Sequence, residues 1–164
     1  MKFKYIWLGQ SILKFEVPLD IFTAINQVYE KNFNKLHKAN KQLVGKIENE
    51  HSLFYDGVET NKMMKHNMLP RNVLEWFKSV YGFYLKANRV TDYELKLISI
   101  WINEMKDNEY NPTHVHQGDL FTGLSSVMIL TLPSHYGKEY SSENAPLNGA
   151  LQIMGNASGQ FANV

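Results

Sequence analysis

Residues 101–133, WINEMKDNEYNPTHVHQGDLFTGLSSVMILTLP, run from a strand-like start through a polar turn to a His-x-His pair and on into a second strand-like run. On extended backbone, side chains two apart leave the same face. His114 and His116 can therefore present both imidazoles to one point while Val115 faces away. Imidazole favours iron, zinc, copper or nickel, and Asp119 lies close enough in sequence to add a carboxylate or a hydrogen bond that orients a ligand. Spacing alone does not choose among these metals. A bare His-x-His pair more often sits on a surface strand or orients a polar loop.

Working outward, YELKLISIWINEM (93–105), Phe121–Thr122 and SSVMILTLP (125–133) are predicted strands, rich in β-branched and aromatic residues and bounded by turn-forming pieces. Asn148-Gly149 is a hairpin dipeptide, which predicts that ALQIM (150–154) folds back towards the strand ending at Pro133. Upstream, Val73, Leu74, Trp76, Phe77, Val80, Tyr81, Tyr84 and Leu85 form a wide apolar stripe beginning just inside Pro70 and closing near Asn88, a helix. Ile21, Phe22, Ile25, Val28 and Tyr29 recur at three and four, predicting another helix over 19–33. Residues 34–70 are polar and irregular. The opening residues suggest strands at Tyr5–Leu8 and Ile12–Val17, ended by Pro18. Helices followed by a block of strands predict an α+β fold, with helices bracing an antiparallel sheet or jelly roll.

The 164 residues fit one domain, and 44% hydrophobic content suffices for a core. Seventeen Lys plus Arg against sixteen Asp plus Glu give a net charge of +1, too small a field to attract nucleic acid or an anionic membrane. Lys35, Lys38, Lys41 and Lys46 form a modest basic group, best read as a solvated loop. The absence of cysteine removes disulfides, thiolate metal sites and cysteine nucleophiles, and fits a reducing cytoplasm. No apolar run reaches the roughly 18 residues of a membrane span, and the N-terminus reads as mature structure. A Walker loop, a dinucleotide glycine fingerprint and a nucleophile elbow are absent. His37, His51 and His66 fall in the irregular region and are assigned no role.

The ordered set Trp101-Ile-Asn103, Asn111-Pro-Thr-His114-Val-His116 and Phe121-Thr-Gly123-Leu-Ser125, running on to Pro133, resembles the core signature of phage-encoded 2-oxoglutarate- and iron(II)-dependent oxygenases. The resemblance extends more loosely over the whole chain. It implies a double-stranded β-helix (jelly-roll, cupin-like) with N-terminal helices, residues 1–91 being α/β support and residues 92–164 the start of the β-helix core. It further implies iron(II) held at His114 and His116, with Asp119 as a possible carboxylate ligand, and 2-oxoglutarate hydrogen-bonded by Asn103 and Ser125. The expected partners are 2-oxoglutarate, O₂ and an unidentified substrate, possibly a protein, with no membrane and no nucleic acid. The expected location is the cytoplasm of an infected host cell.

Two departures from the family pattern stand out. His116 occupies the place where the wider superfamily has a carboxylate. The distal histidine and the arginine or lysine that pairs with 2-oxoglutarate have no counterpart: the last histidine is His135, in a turn-like stretch, and no arginine follows Arg89. The resemblance thus implies an incomplete oxygenase domain, completed by further chain or by a second chain in an oligomer. The rival expectations are a non-catalytic virion or binding protein that keeps the fold, and a cupin-like metal-binding protein indifferent to 2-oxoglutarate.

Overall fold

A computed structural model of the chain describes residues 2–7, 11–39, 45–55, 66–114, 123–134, 149–154 and 161–163. In chain order the elements are β1 (Phe3–Trp7), β2 (Ser11–Phe15), α1 (Leu19–Asn32) with a 3-10 turn at Phe33–Lys35, β3 (His37–Lys38), β4 (Asn49–Ser52), β5 (Phe54–Tyr55), β6 (His66–Asn67), α2 (Arg71–Ala87), β7 (Trp101–Glu104), β8 (Gln152–Met154) and β9 (Phe161–Asn163). The chain divides into two units, Val17–Leu124 and Met1–Glu16 with Ser125–Val164.

In the unit Val17–Leu124, both helices begin directly after a proline. Pro18 and Pro70 have extended backbone (ψ 143° and 151°), and proline gives up no hydrogen bond at a helix entrance. The predicted stripes then bury Ile21 and Ile25, one turn apart on α1, and Val73 and Val80, two turns apart on α2, and the two helices touch. Leu36, Ile47, Leu53, Leu69 and Ile102 complete the described core of this unit. Leu53 ties three segments together. Its N–H donates to the Ile100 carbonyl at 3.0 Å, and its carbonyl accepts the Met68 N–H at 3.1 Å.

α2 ends in a full Schellman arrangement: Val90 N–H donates to the Leu85 carbonyl (2.9 Å) and Arg89 N–H to the Lys86 carbonyl (3.0 Å). The left-handed residue this needs is Arg89, at φ 62°, a conformation that glycine adopts at far less cost. Arg89→Gly is expected to raise stability by about 0.5–1 kcal/mol, read as a higher urea midpoint at unchanged slope.

β4 is the centre of a three-stranded antiparallel sheet in the order β3-β4-β7. Its pairing with β7 sets Asn49 opposite Glu104, Glu50 opposite Asn103, His51 opposite Ile102 and Ser52 opposite Trp101. The pairing is interrupted and then resumes at a bridge between Lys46 and Tyr110, with N–H···O distances of 3.0 and 3.1 Å, so that residues 105–109 answer residues 47–48. The surplus chain is a turn at Lys106–Glu109, with Asn108 at φ 64°. The Glu109 carboxylate closes it by accepting the N–H groups of Lys106 (2.7 Å) and Glu48 (2.8 Å), and those bonds hold its carboxyl below the usual range. Gly45 lies against this strand: a Cβ there would press on the Tyr110 carbonyl oxygen and stand 2.8 Å from Pro112 Cδ.

The second unit holds the β1–β2 hairpin, with Phe3 opposite Phe15, and the antiparallel pair β8–β9. The positive φ of Gly149 (69°) fits the predicted turn before β8. The partner of β8 is β9, not the run ending at Pro133. Residues 93–100 and 125–133, expected as strands, join no strand pairing among the described residues. A period-two apolar pattern specifies extended backbone, whereas a ladder also needs a neighbouring strand at the right register.

Candidate functional site

β7 sends alternate residues to opposite faces of the sheet, and the two faces differ in chemistry. On the α1 side, Glu104 Oε2 accepts from the Tyr29 hydroxyl (3.2 Å) and from Asn49 Nδ2 (3.1 Å). Burial, then the neighbouring Glu104 charge and that hydrogen bond, push the Tyr29 phenol up to about 12. His51 is 2% exposed, its ring 4.7 Å from that of Phe33 and 6.0 Å from that of Tyr29. Burial pushes the His51 imidazole down, the charge of Lys38 adds to this, and Glu104 opposes it. His51, assigned no role from the sequence, is therefore a packing residue that joins the sheet to α1.

The other face carries Glu50 and Asn103, directly paired across β4 and β7. Glu50 is 4% exposed. Its Oε2 and the Asn103 Oδ1 are both buried and accept no hydrogen bond from any described residue. Two acceptor oxygens without a donor are costly in a protein interior and ask for an explanation. Burial pushes the Glu50 carboxyl up, and the charge of His114 pulls it back, which puts the imidazole within electrostatic reach of the carboxylate.

His114 lies four residues beyond Tyr110, which pairs with Lys46 in an isolated bridge. Its Nδ1 is 2.7 Å from the Pro112 carbonyl oxygen. A carbonyl can only accept, so Nδ1 carries the proton, and in the neutral ring the lone pair resides on Nε2. Metal-bound histidines are commonly fixed in this way, by a backbone carbonyl on the nitrogen that does not face the metal.

Of the residues singled out from sequence, Asn103 pairs across the strands with Glu50, and the charge of His114 acts on Glu50. Ser125 belongs to the other unit, where it is exposed on the extended segment. His116, Asp119 and His135 lie outside the described residues. Glu50 was missed. It falls in the polar segment IENEHSLF, where no apolar alternation announces a strand, and only pairing with β7 gives it depth.

Among the described residues, no three His, Asp or Glu side chains converge as a metal site. What they offer is one imidazole of fixed tautomer, one buried carboxylate oxygen and one buried amide oxygen. These nitrogen and oxygen donors suit a divalent first-row ion. The described helices include none long and apolar enough to cross a membrane. Comparison of the chain with protein-family models, with curated proteins and with solved structures gives no match, so the reading of the site rests on these residues and their geometry.

Proposed function

We propose that this chain belongs to an iron(II)- and 2-oxoglutarate-dependent oxygenase acting on an unidentified substrate, with His114 as a ligand of the iron. The observation that supports it is the 2.7 Å contact between His114 Nδ1 and the Pro112 carbonyl, within the Asn-Pro-Thr-His-Val-His run. That contact leaves Nε2 as the coordinating atom and fixes the ring plane before any ligand arrives. In this reading His116 and Asp119 hold the iron with His114, and Asn103 and Ser125 hydrogen-bond 2-oxoglutarate.

Bound iron(II) supplies the activation of O₂ that couples oxidative decarboxylation of 2-oxoglutarate to hydroxylation of the substrate. The chain's own residues bind and orient. The Pro112 carbonyl keeps the His114 proton on Nδ1, and the turn at Lys106–Glu109, closed by the Glu109 carboxylate, sets where the following strand restarts.

Anaerobic titration of iron(II) with and without 2-oxoglutarate tests this. The expected result is a metal-to-ligand charge-transfer band that needs both components and disappears in His114→Ala and in His116→Ala. Iron binding that ignores 2-oxoglutarate would favour a cupin-like metal protein. Absence of iron binding would favour a non-catalytic use of the fold.

A further inference from the structure

We infer that Glu50 supplies a carboxylate to the metal centre, with its cross-strand partner Asn103 adding an amide oxygen, so that a divalent cation is held between β4, β7 and His114. This rests on the reading of His114 as a metal ligand and adds a second acidic donor to the Asp119 of that reading.

The argument starts from register. Glu50 and Asn103 are a directly opposed pair, so their side chains leave one face of the sheet side by side. Each ends in an oxygen that is buried and accepts no hydrogen bond among the described residues, and Glu50 as a whole is 96% buried, being 4% exposed. A buried carboxylate oxygen that accepts no hydrogen bond is costly for a fold to carry. Two adjacent acceptors share one requirement, an electropositive partner. The nearby charge that registers at Glu50 is the imidazole of His114, whose own orientation is fixed by Pro112.

A carboxylate, an amide oxygen and an imidazole together match the preference of a borderline divalent cation such as iron(II) or manganese(II). An anion would instead face two lone-pair-bearing oxygens. The plain rival is that the Asn103 amide turns to donate its N–H to Glu50, which makes the pair a structural strand-to-strand contact.

Manganese(II) alone is the probe, with binding followed by loss of the free-ion electron paramagnetic resonance signal and by thermal unfolding of the full chain. Three variants are compared with the wild type: Glu50→Gln, Asn103→Asp and His114→Ala. The cation site predicts that Glu50→Gln weakens manganese binding by more than roughly 100-fold, beyond the loss that a merely supporting residue gives. It also predicts that Asn103→Asp, with two buried carboxylates, melts lower without metal and recovers on adding manganese(II).

Wild-type affinity in Glu50→Gln, with binding lost only in His114→Ala, would overturn the role of Glu50 and leave that of His114 standing. An Asn103→Asp protein that melts lower and is not recovered by manganese(II) would identify the structural pair and overturn the proposal. A wild-type chain that binds neither manganese(II) nor iron(II) would overturn both readings. Should Glu50→Gln fail to fold, the Asn103→Asp comparison still decides.

Discussion

Leu53→Ala is expected to lower the unfolding free energy by about 2–5 kcal/mol, the range for emptying a fully buried leucine site. Leu53 has no exposed surface. Its backbone bonds to Ile100 and Met68 hold the junction of β4 and β5 between the approaches to β7 and to α2. Three segments pinned by main-chain hydrogen bonds cannot close over the missing methyl groups, so the cost belongs in the upper part of that range. The measurement is a urea titration in which the midpoint falls while the slope is kept. Leu132→Ala is the control: Leu132 is 59% exposed, and its change should stay within about 0.5 kcal/mol.

Gly45→Ala is expected to cost about 1–3 kcal/mol, as overpacking does, and to weaken metal binding at the same time. The added Cβ would meet the carbonyl oxygen of Tyr110 and stand 3.1 Å from Asn111 Cα. Both are backbone atoms, which cannot rotate aside. The segment from Tyr110 to Pro112 must shift, and the Pro112 carbonyl that orients His114 moves with it. A displaced orienting group typically lowers metal affinity by about 10–100-fold. Manganese(II) titration and a urea melt on the same variant should therefore change together. Gly123→Ala should change neither, since a Cβ at Gly123 meets nothing within 4 Å.

The helices were legible because their information is local. The spacing of Ile21 and Ile25, and of Val73 and Val80, together with the preceding prolines, fixes both where α1 and α2 begin and which side is buried. The strand at Trp101–Glu104 was legible for a similar reason, its apolar and β-branched residues marking extended backbone. Strand partners were not legible. The pairing of β4 with β7 joins residues about fifty apart in sequence, and a polar strand such as Asn49–Ser52 carries no pattern that names its neighbour. One of the three candidate donors followed suit: His114 and Asn103 come from the run read in the sequence, whereas Glu50 becomes visible only once register places it across from Asn103. The left-handed Arg89 was equally hidden, because the usual sign of such a helix end is a glycine.

The uneven stretch between Glu104 and Tyr110 also sets the phase of everything after it. Five residues, 105–109, span the gap that 47–48 span on the partner strand, a surplus of three. Side chains switch faces at each step along a strand, so an odd surplus reverses the numbering of the faces. On β7 the odd positions Trp101 and Asn103 share the face of Glu50; beyond the turn the even position Tyr110, paired with Lys46, takes that face. An even surplus would have set Tyr110 towards the α1 side, among His51, Tyr29 and Phe33. Length changes in this turn are thus constrained by parity: gain or loss of two residues preserves the side on which Tyr110 meets Lys46, and gain or loss of one inverts it.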